Sequence, residues 1–148
     1  MAWTAFIDGG ARGNPGPAAA GVYVLDEAGQ PFFSAGLFLG RKTNNEAEYG
    51  GLLVALDVLL AAKASDVEIR SDSELMVRQL EGVYRVKAHN LIPLYDQARS
   101  RIRRFEDCAF RHVPREENRQ ADGLANQAMD SVGDVVVVDR GNLIAGLG

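Results

Sequence analysis

Glu46-Ala47-Glu48-Tyr49-Gly50-Gly51-Leu52-Leu53-Val54-Ala55-Leu56-Asp57-Val58-Leu59-Leu60-Ala61-Ala62 is the stretch from which the rest of the chain can be ordered. Leu52, Ala55, Leu56 and Leu59 recur at helical spacing, so the segment reads as a helix with an apolar stripe. Asn44 or Asn45 stands where a side chain can cap its first turn. Working back, Pro31 to Leu39 and Ala20 to Leu25 read as strands, joined by the turn Asp26-Glu27-Ala28-Gly29. A glycine and proline loop, Gly9 to Pro17, precedes them. Trp3 to Gly9, short and apolar, reads as the first strand. Working forward, Val67 to Ser71 reads as a short strand, and Ser73 to Leu80 as a short helix with Gly82 just past its end. Leu91 to Phe105 is predicted helical through Leu94, Ala98 and Ile102, and Cys108 to Val113 reads as a fifth strand. Arg119 to Met129 closes the series as a helix striped by Ala121, Leu124, Ala125, Ala128 and Met129.

Three early strands followed by alternating helices and strands place the chain in the α/β class, with a mixed sheet and helices on its faces. The 148 residues fit one domain, and no repeat or linker divides them. The compact part is expected to span residues 1–130. In the tail, 131–148, Val135 to Val138 has strand character and Gly141 to Gly148 is glycine-rich. That tail is expected to add an edge strand or cover a surface.

Composition narrows the function classes. Hydrophobic residues make up 47% and charged residues 24%, an ordinary globular balance. No apolar run approaches the roughly 20 residues of a membrane span, and the N-terminus has no pattern of a secretory signal. The single cysteine, Cys108, suits a reducing compartment, so a cytoplasmic protein without membrane association is expected. Net charge is −4, which argues mildly against nucleic acid binding. The distribution argues otherwise: Arg99, Arg101, Arg103, Arg104, Arg111 and Arg115 face only Glu106 and Asp107 in their stretch. A solvated helix face and a phosphate-binding surface both fit that run.

Four acids stand out by position. Asp8 and Asp72 end predicted strands, where a carboxylate approaches the core and needs a partner. In open sheets, sites form at strand ends. Glu48 lies four residues before Leu52, on the inward stripe of its helix. Asp122 sits beside Ala121, Leu124 and Ala125, near the inward face of the last helix. Singly, each has a plain alternative, as a turn residue or as an acid favoured by a helix N-terminus. Together they favour a shared cation. Oxygen ligands without a cysteine or histidine cluster point to magnesium or manganese, the ions of phosphoryl chemistry.

At these residues the chain resembles the type 1 ribonuclease H family. Asp8-Gly9-Gly10-Ala11-Arg12-Gly13-Asn14-Pro15-Gly16-Pro17-Ala18 is similar to that family's first motif, and Thr43-Asn44-Asn45-Glu46-Ala47-Glu48-Tyr49 to its second. Ser71-Asp72-Ser73-Glu74-Leu75 is similar to the third, and Asn118-Arg119-Gln120-Ala121-Asp122-Gly123-Leu124-Ala125 to the fourth. The four motifs occur in family order and cover residues 1 to about 130. The resemblance implies a ribonuclease H-like, five-stranded mixed sheet flanked by helices. It implies that Asp8, Glu48, Asp72 and Asp122 are the catalytic carboxylates and bind two magnesium ions, with manganese as a substitute. It implies hydrolysis of the RNA strand of RNA–DNA hybrids to 5′-phosphate and 3′-hydroxyl ends, by a protein expected to be a monomer. Double-stranded RNA is a further substrate to be tested. The resemblance assigns Gly9, Asn14, Thr43, Asn44 and Asn45 to contacts with the substrate, although capping alone also accounts for the last three.

The chain departs from the family pattern in three places. Where some members carry a basic, aromatic-studded protrusion, it has only Glu81 to Asn90, so a handle-free version is expected. Phosphate contacts are then expected from the arginines between Arg99 and Arg115. The loop before Asp122 holds Arg115 where some relatives place a mobile histidine. Arg115 is therefore the expected functional residue, and His112 a partly buried strand residue. Glu74 stands where some relatives have a glutamine facing RNA. Rival classes are a non-catalytic nucleic-acid-binding module on the same fold, another metal nuclease such as a resolvase or integrase core, and a metal-free interaction domain. The four acids on inward positions weigh against the last.

Overall fold

The computed structural model describes residues 2–144. Three long antiparallel strands come first: β1 (Trp3–Ala11), β2 (Gly16–Leu25) and β3 (Pro31–Lys42). β4 (Asp66–Ser71) adds parallel to β1, and β5 (Asp107–His112) parallel to β4. The sheet order is β5-β4-β1-β2-β3-β6, where β6 (Val135–Asp139) pairs antiparallel with β3. The sheet thus has one strand more than the resemblance implies, and the tail supplies it. Among the described residues four α-helices accompany the sheet: α1 (Asn44–Ala61), α2 (Glu74–Leu80), α3 (Ile92–Ile102) and α4 (Arg119–Ser131).

Several boundaries move, each for a local reason. β1 does not stop at Gly9; Gly9, Gly10 and Ala11 pair with Ala20, Ala19 and Ala18. Glycine keeps both backbone hydrogen-bonding groups, so the ladder continues and the loop shrinks to 12–15. α1 begins before Glu46, and its cap is Thr43 rather than Asn44 or Asn45. Thr43 Oγ1 accepts from the Glu46 N–H at 3.1 Å, and Glu46 Oε1 accepts from the Thr43 N–H at 2.9 Å, a reciprocal capping box. α3 ends at Ile102, because the next turn tightens into Arg104 N–H to Arg101 O and Phe105 N–H to Ile102 O bonds.

α1 and α4 lie on opposite faces of the sheet. A Cβ on Gly51 of α1 would press on Ile7 and Ala20, whereas one on Gly21 would run into the backbone of Ala121 in α4. Ala20 and Gly21 are successive strand residues, and such neighbours point to opposite faces. α2 and α3 pack on the α1 side. Leu52, Leu56 and Leu59 of α1 are fully buried against Ile7, Val22, Val24, Val67 and Ile69. Each such leucine contributes about 1.5–3 kcal/mol through burial. On the other face, Gly21 and Gly36 leave room for the backbone of α4, at Ala121 and Leu124 respectively. That groove brings α4, and Asp122 with it, down onto the strands.

The tail is tied to the edge it covers. The Phe38 N–H donates to Asp134 Oδ1 at 2.9 Å, and Arg140 pairs with Asp26 at 2.6 Å while lying over the Phe32 ring. The glycine-rich reading of Gly141 to Gly148 falls partly outside the described residues, at 145–148. Among the described residues no helix is long and apolar enough to cross a membrane.

Candidate active site

The site forms where the parallel half of the sheet ends. The β1–β4 ladder stops at Ile7 and Ser71, so Asp8 and Asp72 stand just beyond its last pair. Asp8 itself continues along β2, opposite Gly21, and is a mid-strand residue on that side. Ser71 Oγ accepts from the Ser73 N–H at 3.0 Å and turns the chain sharply after Asp72. Ser73 then caps α2, accepting from the Met76 N–H at 3.3 Å. Glu48 arrives from the first turns of α1. A Cβ on Gly9 would collide with the backbone of Ala47 and Glu48, so only glycine lets the helix start approach β1 so closely.

Asp8, Glu48 and Asp72 each offer one carboxylate oxygen, and these atoms lie within 4.8 Å of one another. Asp122, from the first turn of α4, lines the same cleft and adds its negative charge beside Asp8. Electrostatics record the crowding. Burial, aided by Asp122 and Asp72, pushes the Asp8 carboxyl up to about 8. Burial drives Glu48 well above the carboxylate range, with the negative charges of Asp8 and Asp72 adding to it. The Gly9 N–H offsets part of both effects. Glu48 is 8% exposed, and its Oε2 is buried with no hydrogen-bond partner. No lysine or arginine among the described residues forms an ion pair with Asp8, Glu48 or Asp72; Arg115 approaches only Asp122, at 3.8 Å.

These acids line a cleft of about 670 Å³ that also takes in Gly9, Asn44, Asn45, His112 and Arg115. Asn14, Thr43 and Glu74 do not line it. Asn14 acts one step removed: its Oδ1 accepts from the Asn44 N–H at 3.0 Å. Asn44 Oδ1 in turn accepts from the Ala11 N–H at 2.8 Å. The two side chains lock the β1–β2 loop to the start of α1, leaving their NH₂ groups as donors. Thr43 accepts in the capping box through Oγ1, which leaves its hydroxyl proton as a donor. Glu74 is exposed, 3.8 Å from His112 Nδ1.

Arg115 and His112 both line the cleft. His112 ends β5, is exposed, and lies in the cleft with Nε2 3.3 Å from the Asp72 carbonyl oxygen. Strand ends open to solvent, which the pattern of β5 did not reveal. The arginine run also divides. Arg99 donates to the Leu80 carbonyl, and Arg101 pairs with Asp57 at 2.7 Å. Arg103 and Arg104 precede β5 and so lie at the opposite end of the parallel strands from Asp72 and His112. Of that run, Arg115 is the one that lines the cleft.

Two residues of the quoted motifs gain weight. Asn118 is 1% exposed, and its Nδ2 donates to the Ile7 carbonyl at 2.8 Å, one residue before Asp8. Its own carbonyl accepts from the Asp122 N–H at 3.0 Å, so one residue ties the two acids' backbones together. Arg12 lines the cleft from the β1–β2 loop. A buried asparagine and an arginine inside a glycine loop were the available signals, and neither is distinctive without the fold.

A carboxylate cluster at the end of a mixed sheet in this order defines a ribonuclease H-like fold with a candidate hydrolytic site. Comparison with known proteins agrees. The reverse transcriptase-like family model matches residues 6–128. The ribonuclease HI of Halobacterium salinarum is 40% identical over 85% of this chain and 63% of its own length. Its crystal structure superposes with a TM-score of 0.85, at 39% identity, over 88% of this chain and 99% of that one. A ribonuclease H1 from compost, solved with an RNA/DNA hybrid, is 41% identical, with a TM-score of 0.82 over 88% of this chain and 98% of that one. A bifunctional protein of Mycobacterium tuberculosis is 40% identical over 89% of this chain but only 36% of its own length. The chain thus spans less than two thirds of the length of these full-length relatives. It belongs to the type 1 ribonuclease H family.

Proposed function

We propose that this protein is an endoribonuclease that hydrolyses the RNA strand of RNA–DNA hybrids, leaving 5′-phosphate and 3′-hydroxyl ends. The observation that carries the reading is the convergence of Asp8, Glu48 and Asp72 without a cationic partner. Leaving several carboxylates together and partly buried is costly unless a cation joins them. The unpaired Glu48 Oε2 and the all-oxygen donor set fit divalent ions of the magnesium or manganese kind. Asp8, Glu48, Asp72 and Asp122 would hold two of them. Bound there, the ions would supply Lewis-acid polarisation of a phosphodiester and ionisation of water near neutral pH.

The chain's own residues do the rest. Asp8 is central, because both Asp122 and the Glu48–Asp72 pair lie beside it. The side-chain amides of Asn44 and Asn45 and the Gly9 backbone face the cleft as donors and acceptors for sugar hydroxyls. The 2′-hydroxyl and the wide minor groove distinguish RNA from DNA without sequence reading. His112 and Arg115 also line the cleft, where a proton or a phosphate charge can be met. Glu74, exposed and 3.8 Å from His112 Nδ1, is carried over from the resemblance as a substrate contact. The hybrid-bound relative supports this substrate class, and double-stranded RNA is its competitor. Residues 1–130 are proposed as the catalytic domain, with 131–148 as an accessory tail, in a cytoplasmic monomer.

The test is cleavage of an end-labelled RNA–DNA hybrid with magnesium, with manganese and with chelator, beside RNA–RNA and DNA–DNA duplexes. Metal-dependent cutting of the RNA strand of the hybrid is expected. Binding without cutting under either ion would replace this reading with a non-catalytic module.

A further inference from the structure

The β1–β2 loop and the last turn of α4 meet at an ion pair that the reaction leaves unused. Arg12 Nη2 lies 2.6 Å from Asp130 Oδ1, with the side chains 51% and 66% exposed. The backbone beneath Arg12 is rigid: its N–H donates to the Pro17 carbonyl at 2.8 Å, and Gly16 packs directly on its carbonyl. The guanidinium is therefore presented to the cleft from a fixed point. Asp130 is poorly placed by contrast. It sits in the last turn of α4, where the helix dipole disfavours an anion. An ion pair this exposed is weak. The floor of the cleft is acidic, so a nucleic acid backbone entering it needs cations on the rim. Arginine's planar fork suits a phosphate better than a single carboxylate oxygen does.

We propose that Arg12 is a phosphate-binding residue for the backbone of the nucleic acid substrate, and that Asp130 is its resting partner, displaced when the phosphodiester arrives. The proposal rests on the nuclease reading above and adds a determinant of affinity to it. Asp130 then acts as a built-in competitor, and removing either partner shifts affinity in opposite directions.

The experiment is hybrid binding by fluorescence anisotropy, with calcium replacing magnesium, for wild type, Arg12→Ala, Arg12→Lys, Asp130→Asn and the double variant. Wild-type cleavage in magnesium is run in parallel, and melting temperatures are recorded for all. Arg12→Ala should weaken binding, and its gap from wild type should narrow about threefold between 50 and 200 mM salt, as expected for one lost phosphate contact. Arg12→Lys should restore most of that salt dependence. Asp130→Asn should tighten binding about twofold to threefold, and the gain should vanish in the Arg12→Ala background. Unchanged affinities in a protein that cleaves hybrid would overturn the proposal and leave the nuclease reading intact. Parallel weakening by Arg12→Ala and Asp130→Asn, with lowered melting temperatures, would also overturn it, as a structural tie only. A wild type that binds but never cleaves would instead sink the nuclease reading.

Discussion

Asp8 carries the sharpest expectation at the scale of a single residue. Its carboxyl sits at about 8 in the folded protein against 3.8 for the free side chain. An acid raised in this way holds a proton in the folded state that the unfolded chain releases. Without metal, stability should therefore fall as pH rises from about 4 to about 8. Thermal melts in chelator across that range check the sign; a flat profile would mean that burial and the neighbouring acids do not raise Asp8. Asp8→Asn should remove part of the slope, the buried Glu48 keeping the rest, and raise the metal-free melting temperature by a few degrees. The same change should lower cleavage by about a thousandfold or more. Asp26 behaves oppositely. The Arg140 guanidinium and the loop N–H groups hold it below the usual range, so its contribution appears above about pH 4 and is lost in acid. Among the neighbouring polar residues, Thr43 and Asn45 should separate cleanly. Thr43→Ala should cost about 1 kcal/mol through the lost cap. Asn45→Ala, in the cleft and outside the capping box, should spare stability and raise KM for the hybrid; equal effects on stability would make both structural.

Elements deliver the acids, and small residues decide how closely they do so. Gly21 and Gly36 admit the backbone of α4, and Gly9 admits the start of α1. Gly36→Ala would force a methyl group into the Leu124 carbonyl, and overpacking of this kind costs about 1–3 kcal/mol or more. The expected result is a lower melting temperature together with weaker binding of manganese in a metal titration, because Asp122 rides on the displaced helix. Intact metal affinity in a destabilised Gly36→Ala protein would show that α4 adjusts without moving its acid. Asn118 works at the same scale, joining the end of β1 to the first turn of α4 through one buried side chain.

Across the whole molecule, the tail is the feature that sets this chain apart from a minimal five-stranded sheet. β6 covers the β3 edge, and Arg140 reaches back to the β2–β3 turn. An uncovered β3 would offer a long unpaired edge to other chains. Removing residues 132–148 should therefore lower the melting temperature and promote concentration-dependent association, while cleavage per folded molecule persists. Light scattering beside the activity assay distinguishes these effects. Loss of activity at full folding would give the tail a role in the site instead.

Local pattern determined much of this protein. The helix through Leu52, Ala55, Leu56 and Leu59 and the three preceding strands follow from short-range periodicity, and the resemblance in four motifs singles out the four acids. Tertiary structure decided what depends on distant partners. Glycines 9 and 10 extend a strand because alanines on β2 stand opposite them. His112 enters the cleft because β5 runs parallel to β4 and ends beside Asp72. Arg103 and Arg104 fall away from the site for the same reason, at the other end of that pairing. Arg12 meets Asp130 only because α4 settles into the glycine groove of the sheet. In each case the deciding contact joins residues far apart in the chain, and periodicity along the chain contains no record of such pairings.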